Sequence, residues 1–155
     1  MRLALRLGSA GLAALAAACA GPSFDGRRAE AAAHPEARFI VHYGDEVFRV
    51  NARYVDIIGE SVIAVRRGPG EADLSDWRSM EVAPDVAVPD DAGFGDDAYR
   101  RVAVDIADAI QKRPPICSDG KTMRIATDEN NEARTLYRHA RQAWVVFALC
   151  PEGDG

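Results

Sequence analysis

The stretch that decides the fold is Arg38–Val50, RFIVHYGDEVFRV. Phe39, Val41 and Tyr43 alternate with Arg38, Ile40 and His42; Gly44-Asp45 interrupts, and Phe48 and Val50 resume the spacing of two. A period of two is the mark of a half-buried strand, and a Gly-x pair between two such runs is the sequence form of a type II′ hairpin. A two-residue loop sets Tyr43 opposite Glu46, Val41 opposite Phe48 and Phe39 opposite Val50. All the large apolar side chains then share one face, which checks the register internally. His42 falls on the other face near Val47, where it reads as a packing residue rather than a metal ligand.

Working outward, Tyr43-Gly44-Asp45-Glu46-Val47 is echoed by Ile58-Gly59-Glu60-Ser61-Val62. This predicts a second hairpin, Arg53–Ile58 with Ser61–Arg66, and hence a four-stranded antiparallel meander. Residues 68–97 break the pattern: they hold nine acids against the single base Arg78 and are punctuated by Gly68-Pro69-Gly70, Pro84 and Pro89. They read as a long acidic loop with a short strand at Ser79–Val82. Trp77 within it either pins the loop to the core or waits for a partner. Next comes one amphipathic helix, from Asp96 or Asp97 to Lys112. Its stripe is Tyr99, Val102, Ala103, Ile106 and Ile110, and Pro114-Pro115 stops it. Thr122–Thr127 reads as a strand, Asp128–Glu132 as a polar turn and Ala143–Cys150 as a strand buried on both faces. Periodicity leaves Ala133–Arg141 open between helical turn and extended chain. The expected class is α+β: an antiparallel sheet formed by the N-terminal meander and a C-terminal strand pair, with one long amphipathic helix.

The chain has 155 residues, 48% hydrophobic and 28% charged, enough for one domain with its own core. With 19 Lys plus Arg against 24 Asp plus Glu the net charge is -5. No excess positive field exists to neutralise phosphates, so nucleic acid is not an expected partner.

Residues 1–18, MRLALRLGSAGLAALAAA, place Arg2 and Arg6 before an uncharged run from Leu7 to Ala18. This has the n-region and h-region of a secretory signal, and it is shorter than the roughly 20 residues of a membrane span. Ala16-Ala17-Ala18-Cys19 resembles the lipobox of bacterial lipoproteins, with Ala16 where that family usually carries Leu. The resemblance covers the first nineteen residues and implies a diacylglyceryl group on Cys19, membrane anchoring through that lipid and, because Ala20 is not Asp, the periplasmic face of the outer membrane. A soluble periplasmic protein cut at an A-x-A site is the alternative. The chain therefore divides into a signal peptide (1–18), a lipidated Cys and flexible tether (19–37) and a single periplasmic domain (38–155) containing the acidic loop 68–97.

Setting Cys19 aside leaves Cys117 and Cys150, an even pair in an oxidising compartment. Their bridge would close a 34-residue loop and contribute about 3.8 kcal/mol in the chain-entropy model. No C-x-x-C, G-x-S-x-G, phosphate-binding Gly-rich loop or H-E-x-x-H is present, so no catalytic residue, metal or cofactor is expected. Asp128-x-Asn130-x-Glu132 starts like a calcium loop, but Ala133 and His139 stand where the turn Gly and the bidentate Glu belong.

Arg134, Arg138, His139 and Arg141 gather near Tyr137 and Trp144. They read either as a solvated basic edge drawn to the acidic loop or as a docking patch for an anionic partner. The expected function is that of a membrane-anchored periplasmic lipoprotein acting as a non-catalytic interaction or envelope-assembly module, its partner another envelope protein. Its candidate patch is Trp77, Arg134, Arg138, His139 and Arg141. The alternative is a small ligand-binding or enzyme-inhibitor protein working through the acidic loop and Trp77.

Overall fold

The computed structural model describes residues 36–55, 58, 60–70, 73–111 and 123–150. The expected signal peptide (1–18), Cys19, most of the expected tether, Cys117 and the last five residues lie outside the described residues. In chain order the elements are β1 (Ala37–Tyr43), β2 (Glu46–Val55), β3 (Glu60–Arg67), β4 (Arg78–Val82), α1 (Asp97–Gln111), β5 (Arg124–Ile125), β6 (Thr135–Arg138), a 3-10 turn (His139–Arg141) and β7 (Ala143–Leu149). They form one mixed, curled sheet in the order β4-β1-β2-β3-β7, with β5 and β6 both pairing the far edge of β7.

The first hairpin has the register its sequence requires: Phe39 faces Val50, Val41 faces Phe48 and Tyr43 faces Glu46. Gly44 takes φ 60° while Asp45 does not cross to positive φ, as a type II′ turn demands. β2 and β3 continue the alternation, with Val50 against Val65 and Ala52 against Ile63. β7 then sets Trp144 beside Val65 and Val146 beside Ile63. The inner face so assembled packs against Tyr99, Val102, Ala103, Ile106, Ala107 and Ile110 of α1, all of them buried. The predicted helical stripe is thus the roof of the core.

The expected fold class needs correcting. Strands take up 45% and helices 18% of the described residues, so sheet dominates instead of sharing the fold with helix. The sheet is not antiparallel throughout, because β4 pairs β1 in parallel, Val41 with Met80 and Tyr43 with Val82. Met80 and Val82 extend the apolar inner face, and β4 covers the edge that β1 would otherwise leave open. The meander has three strands rather than four. A tight turn at Gly59-Glu60 would put Asp56 opposite Ile63, whereas the observed register pairs Ile63 with Ala52 and keeps β2 unbroken through ten residues. At the C-terminal end the pair is a set of three: the strand expected at Thr122–Thr127 shortens to Arg124–Ile125, and Ala133–Arg141 resolves into β6 and the 3-10 turn. The expected disulfide staple is not part of the described structure. Cys117 lies outside it, no bridge joins two described residues, and Cys150, which is not a free thiol, has its Sγ 3.8 Å from the Ser61 hydroxyl.

The described residues of the acidic 68–97 segment fall in two parts. Residues 73–77 lead into β4, which runs the same way as β3, and residues 68–70 leave β3 over the outer face of the sheet. There the Gly68 carbonyl accepts from Arg49 Nε at 3.2 Å. Gly70 lies so close that a Cβ would meet the Arg49 guanidinium at 2.4 Å. Residues 83–96 join the inner layer instead. The buried Tyr43 hydroxyl shares its proton between the Asp105 carboxylate of α1 and the Val86 carbonyl 2.8 Å away, while the Val86 amide donates to it at 3.1 Å. Asp105 also accepts the Asp85 amide at 2.9 Å. Phe94 packs edge-on against Tyr99, and its carbonyl accepts the Trp144 indole N–H at 2.6 Å.

Burial first, and then the Asp105 contact, raises the Tyr43 phenol above its ordinary value of 10. The folded state therefore holds that proton more tightly than the unfolded chain, and the contribution is complete below pH 10 and lost above it. Tyr43→Phe is expected to cost about 1–3 kcal/mol in urea denaturation at pH 7. It should also flatten the fall in stability above pH 10, and equal alkaline slopes in the two proteins would show that this contact carries none of that fall.

Candidate functional site

The alternation that buries the core turns a second set of side chains to the opposite face. Across the sheet, Ile40 pairs with Arg49 and Arg49 with Arg66. Continuing the β3–β7 register by one residue brings Ala143 beside Arg66, and Ala143 pairs with Arg138 of β6. Three arginines thus stand in one row perpendicular to the strands, with the small Ala143 as a gap between the last two. The next row is Arg38, Asn51, Ala64, Val145 and Leu136. Beyond it Arg53 pairs with Val62 and Val62 with Phe147, over whose ring the Arg134 guanidinium lies at 4.9 Å.

Like charges directly opposite one another destabilise a sheet, yet Arg49 and Arg66 are so placed. No carboxylate among the described residues forms an ion pair with Arg49, Arg53, Arg66, Arg138 or Arg141; the ion pairs there belong to Arg38, Arg67, Arg100 and Arg134. The effect is registered at Arg66. Burial, followed by the positive charges of Arg49, Arg141, Arg53 and Arg138, lowers the proton affinity of its guanidinium. Arginine stays charged in proteins nonetheless, so the outcome is a concentrated cationic surface rather than a neutral one. Guanidinium forks in such proximity are suited to carboxylates, which they grip in bidentate fashion. Leu136, 52% exposed, and the half-buried Ala64 and Phe147 give the surface an apolar strip beside its charge.

The structure separates the residues grouped from sequence. Arg138 and Arg141 belong to the cationic face. Arg134 is already committed, its guanidinium 2.9 Å from Glu60. The exposed His139 stacks edge-on against Tyr137 at 4.8 Å. Trp77 is half-buried at the start of β4, on the opposite edge of the sheet and five strands from β6, on the order of 24 Å at the usual strand spacing. It does not join the arginines. Arg49, Arg53 and Arg66 were missed. The available signal was their position at alternate residues opposite the apolar set, visible once the register of β2 and β3 is fixed.

Elsewhere a cleft of about 470 Å³ runs between α1 and the β5–β6 region, lined by Val86, Val104, Ile125 and Ala133 with charged residues at its rim. Its Arg100 is occupied with Asp97, Glu132, Thr135 and the Ala133 carbonyl. No group of His, Cys, Asp or Glu among the described residues is arranged to hold a metal ion. Comparisons of the chain with protein-family models, with curated proteins and with solved structures found no match.

If the arginine row is held for a ligand rather than for folding, Arg66→Gln should leave stability unchanged or raise it by up to about 1 kcal/mol by relieving like-charge contact. Arg134→Gln, which breaks an ion pair, should lower it by about 0.2–1 kcal/mol. Thermal denaturation at low salt reads both, and a marked loss on Arg66→Gln would make the row a structural element.

Proposed function

We propose that this protein is a non-catalytic docking module of the bacterial envelope that holds an acidic protein partner on the outer face of its sheet. One observation carries the reading: Arg49, Arg66 and Arg138 form a row, with Arg141 close by, that makes no ion pair with a carboxylate among the described residues, while Arg53 at its margin feels the charge of Glu36. A chain that is acidic overall yet concentrates unpaired guanidinium groups on one surface gains specificity and association rate toward an anionic partner. The lipobox-like Ala16-Ala17-Ala18-Cys19 supplies the location, with Cys19 lipidated and the domain anchored at the periplasmic face of the outer membrane. No helix among the described residues is long and apolar enough to cross a membrane, and in this reading the lipid performs the anchoring.

The reading in which Trp77 and the acidic loop bind a small ligand has less support. Residues 83–96 are tied into the core by Tyr43 and Phe94, and Trp77 stands apart from the unpaired charges.

Charge reversal tests the proposal. Arg66→Glu with Arg138→Glu in the full-length protein is expected to abolish co-purification of an envelope partner after in-cell crosslinking, while circular dichroism stays unchanged. Retention of the partner by the folded double variant would refute the docking role. Intact-mass measurement of the same sample reads the anchor, which Cys19→Ser should remove.

A further inference from the structure

The rows of the outer face differ in height as well as in charge. Ala64, Val145 and Leu136 form a row of small and apolar residues across β3, β7 and β6. On one side stand Arg66 and Arg138 with Arg141 close by; on the other stand Phe147 and Arg134, with Arg53 beside Val62. The flanking rows lie four residues apart along the strands, Arg134 to Arg138 on one strand and Val62 to Arg66 on another, so about 13 Å separates them. The arginines of the flanking rows are longer than the residues between them, of which Ala64 is half-buried, Val145 buried and Leu136 exposed, and together they make a shallow valley across the strands with an apolar floor and cationic margins.

Resting on the docking reading, we infer that the occupant of this valley is an acidic amphipathic α-helix of the partner protein. An α-helix with its side chains is about 10–12 Å wide, comparable with the ~13 Å between the backbones of the two rows, so acids on its two flanks would lie over them. Its apolar stripe would meet Ala64 and Leu136, and glutamates or aspartates beside the stripe would meet Arg66, Arg138 and Arg141 on one flank and Arg53 on the other. An extended peptide does not match, because its side chains alternate above and below and cannot direct acids sideways at both walls. A second copy of this chain does not match either: α1 is the only α-helix among the described residues, and its apolar stripe is already buried against its own sheet.

The probe is a synthetic peptide of about 18 residues, roughly 27 Å as a helix, with leucines at i, i+3, i+4 and i+7 spacing and glutamates on both flanks. It is titrated against the full-length protein in zwitterionic nanodiscs, with a scrambled peptide of equal composition and anionic phosphatidylglycerol vesicles as comparisons. The expected result is binding at least about tenfold tighter than the scrambled peptide, with a gain in peptide helicity on mixing. Leu136→Asp and Arg66→Glu should each weaken it by about tenfold or more, Arg66→Lys, which keeps the charge but loses the fork, should weaken it less than Arg66→Glu, and circular dichroism of the variants should match the parent. Equal binding of the scrambled peptide would overturn the helix while leaving an acidic partner in place. Failure of both peptides at low salt would overturn the acidic partner as well, and capture of the anionic vesicles alone would assign the face to a lipid surface and overturn the inference.

Discussion

The register between β2 and β3 is the constraint on which the rest depends. Pairing Val50 with Val65 and Ala52 with Ile63 closes the inner face over the stripe of α1. A slip of one residue would send the whole apolar set to the opposite side. The same register leaves Arg49 and Arg66 no choice but to face each other. Burial of a Val or Ile side chain is worth about 1.5–3 kcal/mol, against a cost of a few tenths to about 1 kcal/mol for an exposed like-charge pair. The core therefore wins, and the arginine row is imposed by a fold that does not itself need positive charge there.

What makes the row more than a tolerated side effect is how the other charges are treated. Arg67 is matched to Glu46, Arg134 to Glu60 and Arg100 to Asp97 and Glu132. Of the acidic segment's described residues, Gly68 meets Arg49 through its carbonyl, while Asp85 and Val86 are drawn into the helical layer by Asp105 and the Tyr43 hydroxyl. A surface kept cationic in an acidic protein, with an apolar strip through it, has the physical character of a docking face.

Local signals in the sequence reached some of this and not the rest. The Gly44-Asp45 hairpin, the stripe of α1, the polar turn at Asp128 and the apolar β7 were legible because each is encoded within a few residues. Asp128 indeed accepts the amides of Asn130 and Glu132 at 2.8 and 3.0 Å. The parallel addition of β4 was not legible, since Ser79–Val82 reads as a strand but its partner is set by which edge of a curled sheet needs covering. Arg138 and Arg141 were marked by proximity in sequence, whereas Arg49, Arg53 and Arg66 reach them only through cross-strand pairing. Trp77 was grouped with them by residue type alone, and topology places it at the other edge.

Site-specific photocrosslinking in living cells from two positions of the full-length protein would locate the docking face: Ala64, in the middle of the arginine-flanked face, and Arg101, on the exposed side of α1. An adduct to an envelope protein is expected from position 64 and none from position 101. An adduct from position 101 alone, or equal adducts from both, would contradict this expectation and transfer the docking role away from the sheet.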